Sequence, residues 1–185
     1  MTEKLSFQLT LYPTPVLRKV AQEVEEFGEE LQAFVAAMYE CMYESQGVGL
    51  AAPQVGSRQR ILVLNTAGKA DEGEELTLVN ARILERTGPK SFYEEGCLSF
   101  PGIYAEVERP ECCKVAYQDL EGNAHEREFD GFTSRVIQHE YDHLEGVLLV
   151  DRMSTADKVR HKAALEDLVE TYRAANGTPK RKRRR

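Results

Sequence analysis

The 185-residue chain has no tryptophan, only four cysteines and no long apolar run. Each shortage removes a class of protein. Cys41, Cys97, Cys112 and Cys113 follow no regular spacing and two are adjacent, which argues against a disulfide framework and for a reducing compartment. Apolar stretches such as "ILVL" at Ile61–Leu64 and "VLLV" at Val147–Val150 fall far short of the ~18 residues a membrane span requires. The start, "MTEKLSFQLTLYPTP", lacks the ~7 to 15 apolar residues of a secretory signal and the Arg/Ser enrichment of a transit peptide, so a cytoplasmic protein without membrane contact is expected. A phosphate-binding P-loop is missing too. The glycine-rich "GVGLAAPQVG" at Gly47–Gly56 has neither the lysine nor the spacing for one.

What remains is enough for one core, since 42% of the residues are hydrophobic. Residues 1–176 read as a single domain and residues 177–185 as a basic tail, too short and too charged to fold by itself. The formal charge of −7 hides this division. The last six residues, Lys180 to Arg185, are all basic, and setting them aside leaves 18 of the 24 Lys and Arg against 31 acids, a body of −13. Such a body is a poor nucleic-acid binder, whereas the tail could touch RNA or another polyanion.

Pro13 and Pro15 in "LYPTPVLRKVAQEV" favour an extended or turn-rich start. From Glu29 to Ser45, Leu31, Phe34, Val35, Met38 and Met42 recur at three- and four-residue steps, which predicts a helix with one buried face, ended by Gly47. Short β-type runs follow: "RILVLN", "LTLVNARILER", "AEVERPECCKVAYQDLEG" and "AHEREFDG", with a hairpin turn at Asp119–Asn123 and a surface His125. A second helix spans about Thr133 to Leu144, with Asp130 or Thr133 as N-cap and Gly146 as its stop. A third begins at "STAD", where Ser154 and Asp157 form a capping pair, and runs to Asn176. The class this implies is α+β, with mixed, mainly antiparallel sheets packed around the second helix, and further helices toward the N- and C-termini.

That second helix contains "HEYDHLEG". Positions i and i+4 lie about 5 to 6 Å apart on one helix face, so His139 and His143 can converge on one ion, with Glu140 beside them. Ile137, Tyr141 and Leu144 form a separate stripe that can face the core. A catalytic metal site usually takes a third protein ligand and keeps one position open. A metzincin would place a third histidine where this chain has Leu149, so that pattern fails. Glu166 and Glu170 lie where a downstream glutamate ligand would be sought, but among Lys and Arg on a solvated face. Cys97 in "YEEGCLSFPG" is the third candidate, a thiolate presented in a tight segment bounded by glycine and proline. Gln54 offers an amide donor that could polarise a carbonyl, and the glycines before it would let another backbone approach closely.

Together, "GVGLAAPQ", "EGCLS" at Glu95–Ser99 and "HEYDHLEG" resemble the three motifs of peptide deformylases, in order and at family-like separations. "YPTPVLRKVAQEV" and "FPGIYAEVERP" also look like family sequence, so the resemblance covers roughly Leu9 to Arg152. It implies a deformylase-like fold around a metal-bearing helix, with Cys97, His139 and His143 as ligands and water in the fourth position. It also implies Fe(II) as the native ion, with Zn(II), Ni(II) or Co(II) as alternatives. The implied reaction is hydrolysis of the N-formyl group from the initiator methionine of nascent polypeptides. Glu140 is then the general acid/base, and the Gln54 side chain and Leu98 N–H stabilise the oxyanion. Phe132, Val136, Val48 and Tyr93 wall the methionine pocket, and Gly49 hydrogen-bonds an extended substrate backbone. By the same resemblance, the C-terminal helix and basic tail of a monomer could engage the ribosome or rRNA. Two other classes stay open, a structural zinc domain with four protein ligands and a generic zinc endopeptidase. The direction of the Arg135 side chain is not readable from sequence.

Overall fold

In a computed structural model, described over residues 5–177, five strands form one antiparallel sheet in simple sequence order. The strands are β1 (Gly49–Ala51), β2 (Ile61–Leu64), β3 (Leu76–Cys97), β4 (Phe100–Gln118) and β5 (Ala124–Phe129). The helices are α1 (Glu29–Glu44), α2 (Gly131–Leu144), α3 (Leu149–Arg152), α4 (Thr155–Arg160) and α5 (Lys162–Asn176). All four strand pairings are antiparallel, and a lone parallel bridge joins Gln22 to Gln59. The basic stretch from Lys180 lies outside the described residues.

The period-two rule of a strand explains how the layers are built. On β2, Ile61 and Val63 pack with α1, while Leu62 and Leu64 pack with α2, so every residue of "ILVL" is buried between two helices. β1 obeys the same alternation. Leu50 joins the α1 side and Ala51 the α2 side, which turns Gly49 toward α2. A third cluster, including Phe100, Ile103, Ala105 and Val107 of β4, covers Leu17 and the α3 residues Leu149 and Val150.

Several expected boundaries move. α1 ends at Glu44, and the left-handed residue behind it is Gln46 (φ 57°), one position before the expected Gly47. β3 and β4 are far longer than the apolar runs suggested. They run past Gly88 and Pro89 as one bulged ribbon, with register shifts near Thr87 and Lys90. α2 starts at Gly131, with Asp130 as its cap residue. The Ser154 hydroxyl accepts the Asp157 N–H as a cap should, but the helix it opens breaks at His161 into α4 and α5. The Asp119–Asn123 turn forms, and the partly exposed His125 pairs with Asp119.

Candidate active site

α2 has two tasks, and its sequence separates them by face. Ile137 and Leu144 are fully buried against the sheet, with Tyr141 packed beside them. His139, Glu140 and His143 instead approach the turn that joins β3 to β4, with the two imidazole centroids 5.3 Å apart. Cys97 is the last residue of β3, and its Sγ lies 3.3 Å from His143 Nε2. One donor atom from each of Cys97, His139 and His143 falls within 4.8 Å of the others. Among the described residues the cluster has three members, Glu166 and Glu170 being exposed on α5. Three donors leave the open position that a catalytic site needs and a structural zinc site lacks.

The donor set suits a divalent cation. A thiol and two imidazoles match Fe(II), Zn(II) and similar ions. Burial, with the nearby His139, holds the His143 imidazole well below its usual pKa, so it is a neutral donor. Burial lowers that of His139 too, but Cys97 and Glu95 on its two sides outweigh this and hold it well above the usual value. A cation displacing that proton would meet the same two partners. Glu95 Oε2 lies 3.0 Å from His139 Nδ1, which leaves Nε2 to the cluster.

Glu140 is 4% exposed, and its Oε2 has no hydrogen-bond partner among the described residues. Leaving such a group unpaired typically costs ~1–3 kcal/mol, so its presence asks for a chemical use. Burial pushes its carboxyl up to about 7. Its close neighbour is β1. A Cβ on Gly49 would lie 2.7 Å from both Glu140 Oε1 and Val136 Cγ1, so only glycine lets this strand and helix close together. Gln54 follows on a 3-10 turn, Ala52–Val55. Its Oε1 accepts the Ala51 N–H at 2.8 Å, which orients the amide nitrogen toward Cys97 Sγ (3.7 Å) and Ser99 Oγ (3.4 Å).

These groups border one cavity of ≈ 540 Å³, whose lining includes every predicted site residue except the more deeply placed His143. Val48, Gly49 and Val136 lie on the walls. Tyr93 and Phe132 stand at the mouth, 52% and 45% exposed, with ring centroids 6.0 Å apart. Arg135, whose direction the sequence left open, turns inward. Its guanidinium donates to Glu95 Oε1 (2.8 Å), the Val107 carbonyl (3.1 Å) and both oxygens of Ser91, beneath the Tyr93 ring. With its charge so anchored, the methylene stem can contribute apolar wall.

Sequence reasoning assigned no role to Glu95, Arg109 or Asp142. Glu95 accepts from Arg109 twice, at 2.7 and 2.9 Å, and Arg109 also donates to Asp142 Oδ2 at 3.0 Å. Burial alone would raise the Glu95 carboxyl; the hydrogen bonds from His139 and Arg109 outweigh it and hold it at about 2. A signal for two of them was present. Glu95 shares a strand face with Cys97, and Arg109 falls on the inward side after Ile103, Ala105 and Val107.

The model of the polypeptide deformylase family matches residues 7–159. The chloroplastic/mitochondrial peptide deformylase 1B of Arabidopsis thaliana is 43% identical over 170 residues, 91% of this chain and 62% of that protein. Peptide deformylase of Thermotoga maritima is 41% identical over 167 residues, covering 90% of this chain and 99% of its own. A plant peptide deformylase 1B crystal structure superposes with a TM-score of 0.92 at 39% identity, covering 99% of this chain and 100% of that one. The chain spans about 62–64% of the length of the plant relatives it matches.

Proposed function

This chain belongs to the polypeptide deformylase family, and from that premise we propose that it hydrolyses the N-formyl group of the initiator methionine on newly made polypeptides, releasing formate. The observation that carries the proposal is the buried Glu140 carboxyl, its Oε2 without a hydrogen-bond partner among the described residues, beside a three-donor Cys/His/His cluster on one cavity.

Cys97, His139 and His143 would hold one divalent ion, which when bound supplies Lewis acidity and brings the pKa of a water toward neutrality. We assign Fe(II) as the native ion, with Zn(II), Ni(II) and Co(II) as substitutes that the same donors accept. Glu140 takes the proton of the attacking water and returns it to the leaving amine, a task suited to a carboxyl near pKa 7. The Gln54 amide N–H and the Leu98 backbone N–H stabilise charge on the formyl oxygen, which is supported by the way Ala51 pins the Gln54 amide. β1 pairs only with β2 among the described residues, so its other edge, at Gly49, can receive an extended peptide as an added strand. Val48, Val136 and the Arg135 stem would then enclose the methionine side chain, with Tyr93 and Phe132 at the entrance.

The decisive assay supplies formyl-Met peptides to metal-loaded protein and measures formate. Expected is release from formylated substrates, with no cleavage of internal peptide bonds. Endopeptidase activity on unformylated peptides, without formate, would replace this proposal with the generic protease.

No helix among the described residues is long and apolar enough to cross a membrane. We extend the proposal to a cytoplasmic monomer with one catalytic domain over residues 1–176, whose C-terminal helix and basic tail from 177 attract rRNA. Deleting residues 178–185 should lower co-sedimentation with ribosomes at low salt, as lost phosphate contacts would. Unchanged sedimentation removes the tail from that role.

A further inference from the structure

The buried ionic chain behind the metal cluster does not stop at Asp142. Arg152, on α3, forks onto the Asp142 carboxylate, its Nε donating to Oδ2 at 2.9 Å and its Nη2 to Oδ1. Four links then join in sequence: Arg152 to Asp142, Asp142 to Arg109, Arg109 to Glu95, and Glu95 to His139 Nδ1. Exposure falls from Arg152 to Glu95, and the His139 side chain beyond it is 12% exposed. The Arg152 side chain is 42% exposed, whereas those of Asp142, Arg109 and Glu95 are 8%, 6% and 5% exposed.

We propose that Arg152 is a positioning residue for the metal site, holding His139 in its ligating orientation through Asp142, Arg109 and Glu95. This rests on the metal-hydrolase reading above. Each link is geometrically demanding. Arg109 is gripped at both ends, by the two oxygens of Glu95 and by Asp142, so a shift of the Asp142 carboxylate pulls on the guanidinium that holds Glu95. Asp142 has a choice to make between two guanidinium groups, and Arg152 occupies both of its oxygens from the outer side. Removing Arg152 leaves a buried carboxylate to recentre on Arg109 and pull it from Glu95. A metal-ligating imidazole depends on such outer partners for its orientation, and their loss typically lowers metal affinity by ~10- to 100-fold. Because α3 follows α2 directly, this also couples the metal helix to the segment leading into the C-terminal helices.

The test uses the full chain loaded with Co(II), following metal transfer to a chromogenic chelator and the visible absorption of the bound ion. Arg152→Met keeps an unbranched stem of similar length but removes the fork; Arg152→Lys restores a cationic donor. Asp151→Asn serves as the control, because it loosens α3 by weakening the Arg18–Asp151 pair without touching Asp142. Expected is metal release on the order of 10-fold faster in Arg152→Met, a shifted Co(II) spectrum, an intermediate rate in Arg152→Lys and less than about a twofold change in Asp151→Asn. An unchanged rate in Arg152→Met overturns the proposal. So does equal acceleration in Asp151→Asn, which would mean that α3 acts only as packing. A wild-type chain that takes up no Co(II) overturns the metal reading and the relay together. Co(II) uptake without formate release would overturn the deformylase reading alone, since the release rates still decide the relay.

Discussion

Replacing Glu140 by glutamine should lower kcat for formate release on the order of 10²- to 10⁴-fold, the usual contribution of a positioned acid/base, while one metal equivalent stays bound. The substitution keeps shape and removes only the ability to hold and return a proton. Because Glu140 Oε2 has no partner among the described residues, the neutral amide leaves no cation stranded. Nor does the change disturb the Gly49 approach, which depends on size alone. KM for formyl-Met peptides should therefore change little. Thermal unfolding should occur at the same temperature or higher, because a buried carboxylate without a partner is replaced by a neutral group. Steady-state kinetics, metal analysis and a melting curve on one preparation test all three statements. Turnover within tenfold of wild type, at full metal content, would remove Glu140 from the proton-transfer role.

How much of this was legible in the sequence differs by the range of the interaction. The histidine pair and the core stripe on α2 follow from local helix geometry, and the buried "ILVL" strand follows from its composition. Local patterns report which way a side chain faces, not what it meets. Neither the left-handed Gln46 in place of Gly47 behind α1 nor the break at His161 follows from residue preference. The β3–β4 ribbon shows the same limit. Gly88 and Pro89 signal a turn, yet antiparallel pairing on both sides absorbs them as a bulge. The ionic chain was the least readable part. Its four links span 10, 33, 14 and 44 residues in sequence, and Arg152 alone looks like an ordinary surface cation. Glu95, on the strand face of Cys97, and Arg109, a charge on the inward side of an alternating strand, gave the local hints. Arg135, on α2, gave none, because its anchor points, Glu95, Ser91 and Val107, come from the two strands β3 and β4.

Cysteine 97 separates the metal reading from plain packing more sharply than either histidine, because it also touches an apolar cluster and could be there for that reason alone. Cys97→Ala should cost more than the ~10- to 100-fold in metal affinity that outer partners command, so purified variant should carry well under one metal equivalent and release no detectable formate. If Cys97 were only a packing residue, the loss of one sulfur atom would leave metal content and turnover near wild type. Stability supplies an independent measurement. A ligand that binds only the folded chain stabilises it by about 2.7 kcal/mol when its concentration is 100 times Kd. Wild-type protein should therefore melt at a distinctly lower temperature after chelation, whereas the melting temperature of Cys97→Ala should no longer respond to chelator. The two measurements fail in different ways. A variant that keeps a full metal equivalent and its chelator response shows that another group holds the ion. A variant that loses the metal but still releases formate shows that hydrolysis does not need it. Set beside Glu140→Gln, which keeps the ion and loses the proton carrier, the Cys97→Ala result assigns ion binding and proton transfer to two different side chains of one cavity.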